Sequence, residues 1–321
     1  MRKRILFIFL LCASLFIVGE ISVRIHGRIT KGIPFTRSAR EFYDKEFGWK
    51  GKMIFGDIAS EKYKIFFVGD SFTEGCGVDE EYMYYNVVGR NLGAEIFVYG
   101  GPGYGTLQEY MVLDRYIDEI RPDLIVLQVC SNDFINNLWE LEKASFYNND
   151  LMVRPYLVDG KIEYLFPKPL GRLRAALSSY SRLFYLLGYW SDVFSAYLYT
   201  KGFIRSVEGD IVEKGIAFEG FRKAAAVTDT LIRKIKQRVK DVPIIAFSVN
   251  DGRCYFAQFQ SIFRDNDIEF IEDVPHGILD KMCEGVQVTL DNDTHWNEAG
   301  HRVCGEILSE KISRLMENER F

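Results

Sequence analysis

The chain is poor in histidine and lacks several patterns that mark common functional classes. It has four histidines and six cysteines among 321 residues. No C-x-x-C pair occurs, which argues against zinc-ribbon and thioredoxin-like sites. The net charge of −5 provides no basic surface for a nucleic-acid partner. No internal repeat or low-complexity tract is visible, which sets repeat folds aside.

The cysteine count also excludes a complete disulfide framework. Cys12 lies in the N-terminal apolar segment and leaves five others, an odd number. We therefore expect buried free thiols, since free cysteine behaves as a small hydrophobic residue.

The glycine-dense segment 101–105 lacks the spacing of a dinucleotide fingerprint and has no Lys-Ser/Thr pair, so phosphate binding is not predicted there.

What the chain does contain is an ordinary globular composition. Hydrophobic residues make up 48% and charged residues 26% of the sequence. Aromatic residues are frequent at 15%. We expect most of them in the core, with a minority available to line a groove for sugars or lipids.

The N-terminus has the pattern of a membrane-targeting segment. Residues 2–4 are basic and residues 5–18 carry no charge, which is typical of an export signal or signal anchor oriented positive-inside. The apolar run is shorter than the about 20 residues of a comfortable span, which favours a cleaved signal. However, no A-x-A-like cleavage site follows, and apolar residues recur past Glu20 at 21, 23 and 25.

We therefore predict that residues 1–27 are an uncleaved membrane anchor. A cleaved signal peptide and a buried helix of a cytosolic protein are the alternatives. An uncleaved anchor leaves residues 28–321 outside the cytoplasmic membrane and attached to it, and a cleaved signal peptide leaves them secreted.

Strand and helix patterns alternate along most of the chain. Apolar runs that predict strands lie at 64–68, 96–98, 124–129, 243–249 and 268–271, and helical spacing occurs at 80–92, 106–120, 217–240, 255–263 and 298–316. This alternation predicts a parallel sheet with helices on both faces. Residues 28–60 read as irregular. Residues 140–215 read as an insertion over the sheet edge, with a turn at 158–161 and helix around 170–200.

A serine follows the first predicted strand. Ser71 comes directly after Gly69 and Asp70, where the apolar run ends. Open α/β folds place their chemistry at the carboxyl edge of the sheet, so the Ser71 hydroxyl is a candidate nucleophile. The alternative is that these three residues form only a capped helix N-terminus.

His295 is the candidate base for that serine. It has an acid, Asp293, two residues before it and lies just before the last predicted helix. Asp293 can accept a hydrogen bond from Nδ1 and leave Nε2 for Ser71, and a neutral imidazole near pH 7 suits this role. The alternative is that Asp293 and Asn297 are turn and cap residues around an incidental histidine.

The other histidines are weaker candidates. His26 lies just past the apolar segment, His276 follows Pro275 in a predicted loop, and His301 is on the final helix. We expect His276 and His301 to lie at the surface.

Two further segments offer donors for a developing oxyanion. Gly103 lies in the glycine-dense loop after the second strand, where backbone can approach a ligand closely. Asn132 follows the third strand, and its side-chain amide is an uncharged donor. A plain turn at Gly103 and an Asx-turn at Asn132 are the alternatives.

These segments form four blocks in a fixed order: Gly69-Asp70-Ser71, Gly103 within Pro102-Gly103-Tyr104-Gly105-Thr106, Asn132-Asp133, and Asp293 with His295. In them the chain resembles the SGNH/GDSL hydrolase superfamily. Each block alone is a weak signal, and their joint occurrence in order carries the resemblance. The match covers about residues 60–135 and 240–315 and leaves out the insertion.

The chain departs from the superfamily pattern in two places. The third block usually reads Gly-x-Asn-Asp, and here Cys130 replaces the glycine while Asn132 is kept. The last block is usually Asp-x-x-His, whereas Asn292 stands three residues before His295. The nearest acids are Asp291 and Asp293. Because an Asp-x-His-Trp variant occurs in envelope-polysaccharide branches of the superfamily, we choose Asp293.

The resemblance implies an enzyme that acts on esters through an acyl-serine. It also implies a three-layer α/β/α fold, flavodoxin-like, with a central mostly parallel sheet. It implies no metal or organic cofactor. The residues carried over are the catalytic Ser71, His295 and Asp293, the oxyanion donors Ser71, Gly103 and Asn132, and the supporting Asp70 and Asp133.

The substrate class is an expectation from the resemblance and the N-terminus together. For an exported or anchored domain we expect acylated cell-envelope glycans, with acetyl as the acyl group. Tyr147, Tyr156 and Tyr164 of the insertion are candidate sugar or acyl contacts, with core packing as the alternative. Two other functions stay open: an O-acyltransferase of surface polysaccharides that uses the same site, and a non-catalytic glycan-binding or assembly protein.

Overall fold

The computed structural model describes residues 2–31, 43–75, 77–145, 153–291 and 293–318. In these ranges it contains ten strands, which in chain order are β1 (Tyr43–Asp44), β2 (Gly48–Trp49), β3 (Lys52–Ile54), β4 (Lys64–Gly69), β5 (Glu95–Gly100), β6 (Leu124–Val129), β7 (Arg154–Val158), β8 (Lys161–Leu165), β9 (Ile244–Ser248) and β10 (Glu269–Ile271). Six of them form one central sheet.

The described ranges contain thirteen helices. In chain order they are α1 (Arg2–Lys31), α2 (Ser71–Glu74), α3 (Tyr84–Leu92), α4 (Thr106–Ile120), α5 (Asp133–Asn136), α6 (Trp139–Ala144), α7 (Gly171–Tyr180), α8 (Arg182–Thr200), α9 (Val207–Lys214), α10 (Glu219–Val239), α11 (Arg253–Asp265), α12 (Asp273–Cys283) and α13 (Glu298–Asn318). Of these, α3, α4, α10, α11, α12 and α13 supply most of the helical packing against this sheet. Short 3₁₀ turns occupy Glu80–Tyr82 and Gly215–Ala217.

The central sheet has the strand order β10-β9-β6-β4-β5-β3. All neighbours are parallel except the pair β3 and β5. Strand β4 therefore lies inside the sheet, between β5 and β6. Because parallel strands end at the same edge, the segments that follow β4, β5 and β6 meet there.

The two faces of the sheet pack into two separate cores, which gives three layers. Phe66 and Val68 of β4 join a core with α4, α10 and α11. Ile65 and Phe67 point to the other face and join a core with α3, α12 and α13. All six residues of β6 are buried, as expected for a continuous apolar strand covered on both faces. The predicted three-layer α/β/α fold is confirmed.

Two local predictions were wrong. Residues 28–60 were predicted to be irregular, but β3 pairs antiparallel with β5, with Met53 opposite Tyr99. A three-residue strand is too short to show an alternating pattern. His276 was predicted in a loop, but it lies in α12. Pro275 is compatible with that helix because it occupies the first turn, whose N–H groups have no intrahelical acceptor.

The insertion forms its own small elements outside the central sheet. Strands β7 and β8 pair as an antiparallel hairpin, with Val158 opposite Lys161. Asp159 and Gly160 between them both have positive φ, as a two-residue hairpin turn requires. The predicted helix around 170–200 is present as two helices, α7 and α8, which break at Ser181.

Helix α1 is the one helix of the described ranges that is long and apolar enough to cross a membrane. The apolar window of this helix is wholly unburied, so α1 is not a core helix of the folded domain. It touches the rest of the chain at α8.

Candidate active site

The structure presents Ser71 at the carboxyl edge of the sheet, two residues beyond the strand end. Gly69 ends β4, Asp70 follows, and Ser71 begins α2. The Asp70 carboxylate accepts a hydrogen bond from the Phe72 N–H at 2.9 Å and so caps this helix. The capped helix N-terminus that was the alternative to a catalytic serine is therefore present. The cap stabilises the turn that carries the Ser71 hydroxyl.

The strand end requires glycine at position 69 because there is no space for a side chain. A Cβ atom added there would lie 2.4 Å from both Gln128 Oε1 and Thr73 Oγ1. Gln128 Oε1 also accepts hydrogen bonds from the Asp70 N–H at 3.1 Å and from the Thr73 hydroxyl at 2.8 Å. Gln128, a residue without a functional signal in the sequence, thus ties the turn at Ser71 to β6.

His295 meets Ser71 across 224 positions of sequence. The distance between His295 Nε2 and Ser71 Oγ is 2.7 Å. His295 Nδ1 lies 2.7 Å from Asp293 Oδ1, which also accepts a hydrogen bond from the His295 backbone N–H at 3.1 Å. With Nδ1–H donating to the carboxylate, Nε2 is free to accept the serine proton.

Asp293 is the acid that orients this imidazole. Its pKa is lowered by the hydrogen bonds from His295. Asp291, the alternative acid, instead accepts a hydrogen bond from Gln287 Nε2 at 2.7 Å. The side chains of Asp293 and His295 are 48% and 28% exposed, so this pair lies at the rim of the site. Asn292 lies outside the described residues.

Gly103 and Asn132 follow the two strands that flank β4. Gly103 has φ +64°, a left-handed conformation that favours glycine, in the loop after β5. Asn132 is half-buried between β6 and α5, and its Nδ2 donates to Asn136 Oδ1 at 2.9 Å. An amide has two N–H hydrogens, so this bond fixes the orientation of the group and leaves a second hydrogen for a ligand.

An arginine from the insertion holds the Gly103 loop. Arg154 Nη2 donates to the Gly103 carbonyl at 2.7 Å, and Nη1 pairs with Glu142 Oε1 at 3.3 Å. The Tyr156 hydroxyl donates to the other Glu142 oxygen at 2.9 Å. Arg154 and Glu142 are buried, so their charges compensate each other. The sequence carried no signal for this contact, because Arg154 lies 51 positions from Gly103.

Of the candidate tyrosines, Tyr156 belongs to the core and Tyr164 is exposed. Tyr147 lies outside the described residues. Of the five cysteines predicted to be free thiols, the four that the structure describes are free: Cys130, Cys254, Cys283 and Cys304. Cys76 lies outside the described residues. Burial was predicted correctly for Cys130 and Cys304 but wrongly for Cys283, which is exposed near the end of α12.

Three buried carboxyl groups lie beneath the site. Burial raises the pKa of Asp70 to about 6. Burial and the proximity of Asp70 raise the pKa of Glu109 well above its ordinary range. The pKa of Asp133 is raised in the same way, by burial and then by Glu109. The carboxyl oxygens of Glu109 and Asp133 have no hydrogen-bond partner within the described part of the chain, so neither group makes a hydrogen bond to Ser71, His295 or Asp293.

The surface position predicted for His301 was wrong. Its side chain is 2% exposed, stacks on Tyr84 with ring centroids 6.0 Å apart, and meets the edge of Trp296. Burial lowers the pKa of His301 to about 3, which keeps the imidazole neutral. The sequence did carry a signal, because His301 shares one helical stripe with the buried Cys304 and Leu308. His276 is exposed, as predicted.

The sequence profile of the GDSL-like lipase/acylhydrolase family matches residues 65–308. The chain belongs to this family. GDSL-family membership establishes a hydrolase acting on ester bonds. Among the described residues of this GDSL hydrolase, no group of three or more His, Cys, Asp or Glu side chains is arranged to hold a metal ion.

Solved structures similar to this GDSL hydrolase include three acetyl xylan esterases. One from Geobacillus stearothermophilus is 13% identical with a TM-score of 0.42, and the match covers 79% of this chain and 94% of that one. A second, AlAXEase, is 14% identical with a TM-score of 0.43, and the match covers 78% of this chain and 99% of that one. A third, from Butyrivibrio proteoclasticus, is 12% identical with a TM-score of 0.41, and the match covers 79% of this chain and 64% of that one. No curated protein matches the chain.

Proposed function

We propose that this GDSL hydrolase is a serine esterase that removes small acyl groups, acetyl above all, from glycans outside the cytoplasmic membrane. The observation that carries the catalytic part is the continuous hydrogen-bonded chain from Ser71 Oγ through His295 to Asp293, with both links at 2.7 Å. These are the three roles that acyl transfer to serine needs: nucleophile, base and a group that orients the base.

The reaction starts when Ser71 Oγ attacks the ester carbonyl carbon. The hydroxyl proton passes to His295 Nε2, and the carbonyl π electrons move onto oxygen. Collapse of this intermediate breaks the ester C–O bond, and the leaving alcohol takes the proton from His295. Water then attacks the acyl-serine by the same steps, which releases the acid and restores Ser71.

The oxyanion is held by three donors that follow three adjacent strands. We assign this role to the backbone N–H groups of Ser71 and Gly103 and to Asn132 Nδ2. The bond from Asn132 to Asn136 and the bond from Arg154 to the Gly103 carbonyl support the assignment, because they fix two of these donors before substrate arrives. Donors that need no reorganisation are the effective ones in catalysis.

The glycan substrate is inferred from the openness and the location of the site. Asp293 and His295 lie at the rim, partly exposed, so a bulky polymeric alcohol can approach without entering a deep pocket. The apolar α1 helix with its basic start supports a site outside the membrane, either anchored or secreted. An acylated small molecule fits the same geometry.

The direct test is hydrolysis of p-nitrophenyl acetate by the full chain in detergent, compared with Ser71→Ala and His295→Ala. We expect both variants to lose nearly all activity, with Asp291→Asn as a matched loop variant that keeps it. A serine-directed fluorophosphonate should label the peptide that contains Ser71. Unchanged hydrolysis in Ser71→Ala, or labelling at another serine, would reject the mechanism.

The substrate is tested with acetylated glycans. Release of free acetate identifies an esterase. Movement of acetyl onto a second glycan identifies an O-acyltransferase that uses the same acyl-serine. A chain that binds the glycan and forms no acyl-serine would instead be the non-catalytic protein.

A further inference from the structure

The α7–α8 hairpin carries an unusual amount of exposed apolar surface. On α7 and the residue before it, an exposed stripe repeats at spacings of three and four, formed by Leu170, Leu173, Leu177 and Tyr180. Water-soluble domains rarely leave such contiguous surface uncovered. Scattered exposed leucines need no explanation, but a stripe along one helix face does.

Helix α8 has a wider stripe of the same kind. None of its 19 residues is buried, and five of its seven exposed apolar side chains gather on one face, formed by Leu187, Trp190, Val193, Phe194 and Tyr197. Tyr185 and Tyr189 are also exposed and lie outside this face. Asp192, the only acid of the helix, lies on the opposite face. There it pairs with Lys168 at 2.6 Å and with Arg174 at 3.7 Å. The exposed face is therefore free of acidic charge.

The corner of this hairpin is fixed to α1 by polar bonds. Glu20 accepts hydrogen bonds from the Ser181 hydroxyl at 2.7 Å, the Leu183 N–H at 2.9 Å and the Arg182 N–H at 3.1 Å. Arg24 donates to the Tyr180 carbonyl at 3.0 Å. Glu20 thus supplies an acceptor to the N–H groups at the start of α8, which have no acceptor within the helix.

The polar corner lies just past the uncharged run 5–18 of α1. Glu20 and Arg24 are the first charged residues after that run. One turn earlier, towards the apolar side, the rings of Phe16 and Phe184 are 5.3 Å apart. A Cβ atom added at Gly19 would lie 3.0 Å from the Leu183 side chain, so the two helices approach closely there. If α1 spans a bilayer, this change from apolar to charged contacts marks the level of the membrane–water interface.

We propose that α1 is retained as an anchor and that the α7–α8 hairpin lies in the interface of the same bilayer, with its two apolar stripes against lipid. The hairpin surface is continuous with α1, the one membrane-capable helix described. Tyr and Trp are typical of interfacial helices because their apolar rings carry a polar O–H or N–H group, and Phe and Leu add apolar surface to the lipid-facing side. A second copy of the chain is the competing occupant of these stripes.

This arrangement gives Glu20 a structural role that a cleaved signal would abolish. Removal of α1 would leave the first N–H groups of α8 without these acceptors and would expose Phe184. The proposal concerns only where the domain sits. It does not depend on whether Ser71 forms an acyl intermediate.

The test uses the single tryptophan of the hairpin in the full-length chain. Trp190 is 59% exposed, and α1 contains no tryptophan, so quenching by lipid reports on the hairpin and not on the anchor. The chain is reconstituted into phosphatidylcholine–phosphatidylglycerol vesicles with acyl chains brominated either near the headgroup or near the chain end. We expect quenching that is strongest with bromine near the headgroup and that is lost in Trp190→Phe.

Trp139→Phe is the matched control, because Trp139 lies on α6 outside the hairpin, and this variant should keep the quenching of the wild-type chain. Mass spectrometry of chain purified from membranes should recover peptides from residues 1–27. Three results would overturn the proposal: failure to float with vesicles, equal quenching in wild type and Trp190→Phe, or cross-links between Trp190 regions of two copies together with protection from lipid quenching. None of these readouts requires ester hydrolysis.

Discussion

Replacement of Asp293 by Asn tests the least conventional part of the catalytic chain. Asparagine keeps an oxygen that can accept from His295 Nδ1 and from the His295 backbone N–H, so the imidazole can keep its orientation. What is lost is the negative charge beside the imidazolium that forms when His295 takes the serine proton. The expected cost is therefore mainly electrostatic.

The exposure of the pair sets the size of that cost. Unit charges 4 Å apart interact by about 1 kcal/mol in water and about 4 kcal/mol near a protein surface. Asp293 is 48% and His295 28% exposed, which puts the pair between these limits. A loss of about 2–3 kcal/mol corresponds to a fall in kcat/KM of about 30- to 150-fold. In triads with a buried carboxylate the amide substitution costs about 10⁴.

The assay is p-nitrophenyl acetate hydrolysis under steady-state conditions at pH 7–8. Asp291→Asn is the control, because Asp291 lies in the same loop and bonds Gln287 rather than His295. We expect it to stay within about twofold of wild type, as befits a substitution remote from the reacting atoms. Equal effects of the two substitutions, or an Asp293→Asn enzyme as active as wild type, would refute the role given to Asp293.

Three further predictions concern the donors and the buried acid. Asn132→Ala should lower kcat about 10²- to 10³-fold with little change in KM, the usual cost of a lost oxyanion donor; an effect confined to KM would contradict it. Arg154→Lys keeps a buried cation but loses the rigid guanidinium group that reaches the Gly103 carbonyl. We therefore expect kcat to fall about 10- to 100-fold while a thermal melt shows a folded protein. An unchanged kcat would show that Arg154 is not a positioning residue. Because burial raises the pKa of Asp70 from its ordinary 3.8 to about 6, the folded state binds more protons than the unfolded state between these values, and stability falls as pH rises through this window. Asp70→Asn should remove up to about 3 kcal/mol of this pH dependence, measured by urea unfolding at pH 4 and pH 7, and equal slopes in both proteins would disprove it.

The fold and the candidate catalytic residues were accessible from sequence for a physical reason. The inner strands β4 and β6 are buried on both faces, so they read as mainly apolar runs, interrupted inside β6 by Gln128 alone, and the polar residues that follow them stand out. Ser71 and Asn132 were found in this way. His295 was chosen as the partner of Ser71 because, of the four histidines, it is the one with an acid two residues before it, and the ordered blocks of the GDSL family agreed with that choice.

What the sequence did not reveal depends on contacts between distant segments. Arg154 bonds Gly103 because the β7–β8 hairpin folds back over the loop, and no local pattern encodes that approach. Strand β3 pairs at an edge and is too short for a periodic signal. His301 is different, since its burial was readable from the spacing to Cys304 and Leu308 but was outweighed by the general rule that histidines lie at surfaces.

The separation of 224 positions between Ser71 and His295 has a consequence for biosynthesis. The ribosome synthesises Ser71 long before it synthesises His295. Domains acquire their long-range pairings only when the later segments arrive. Under the proposed mechanism, Ser71 becomes reactive only after the segment that contains His295 has been synthesised and has folded against it, and a polypeptide stopped short of residue 295 lacks its base.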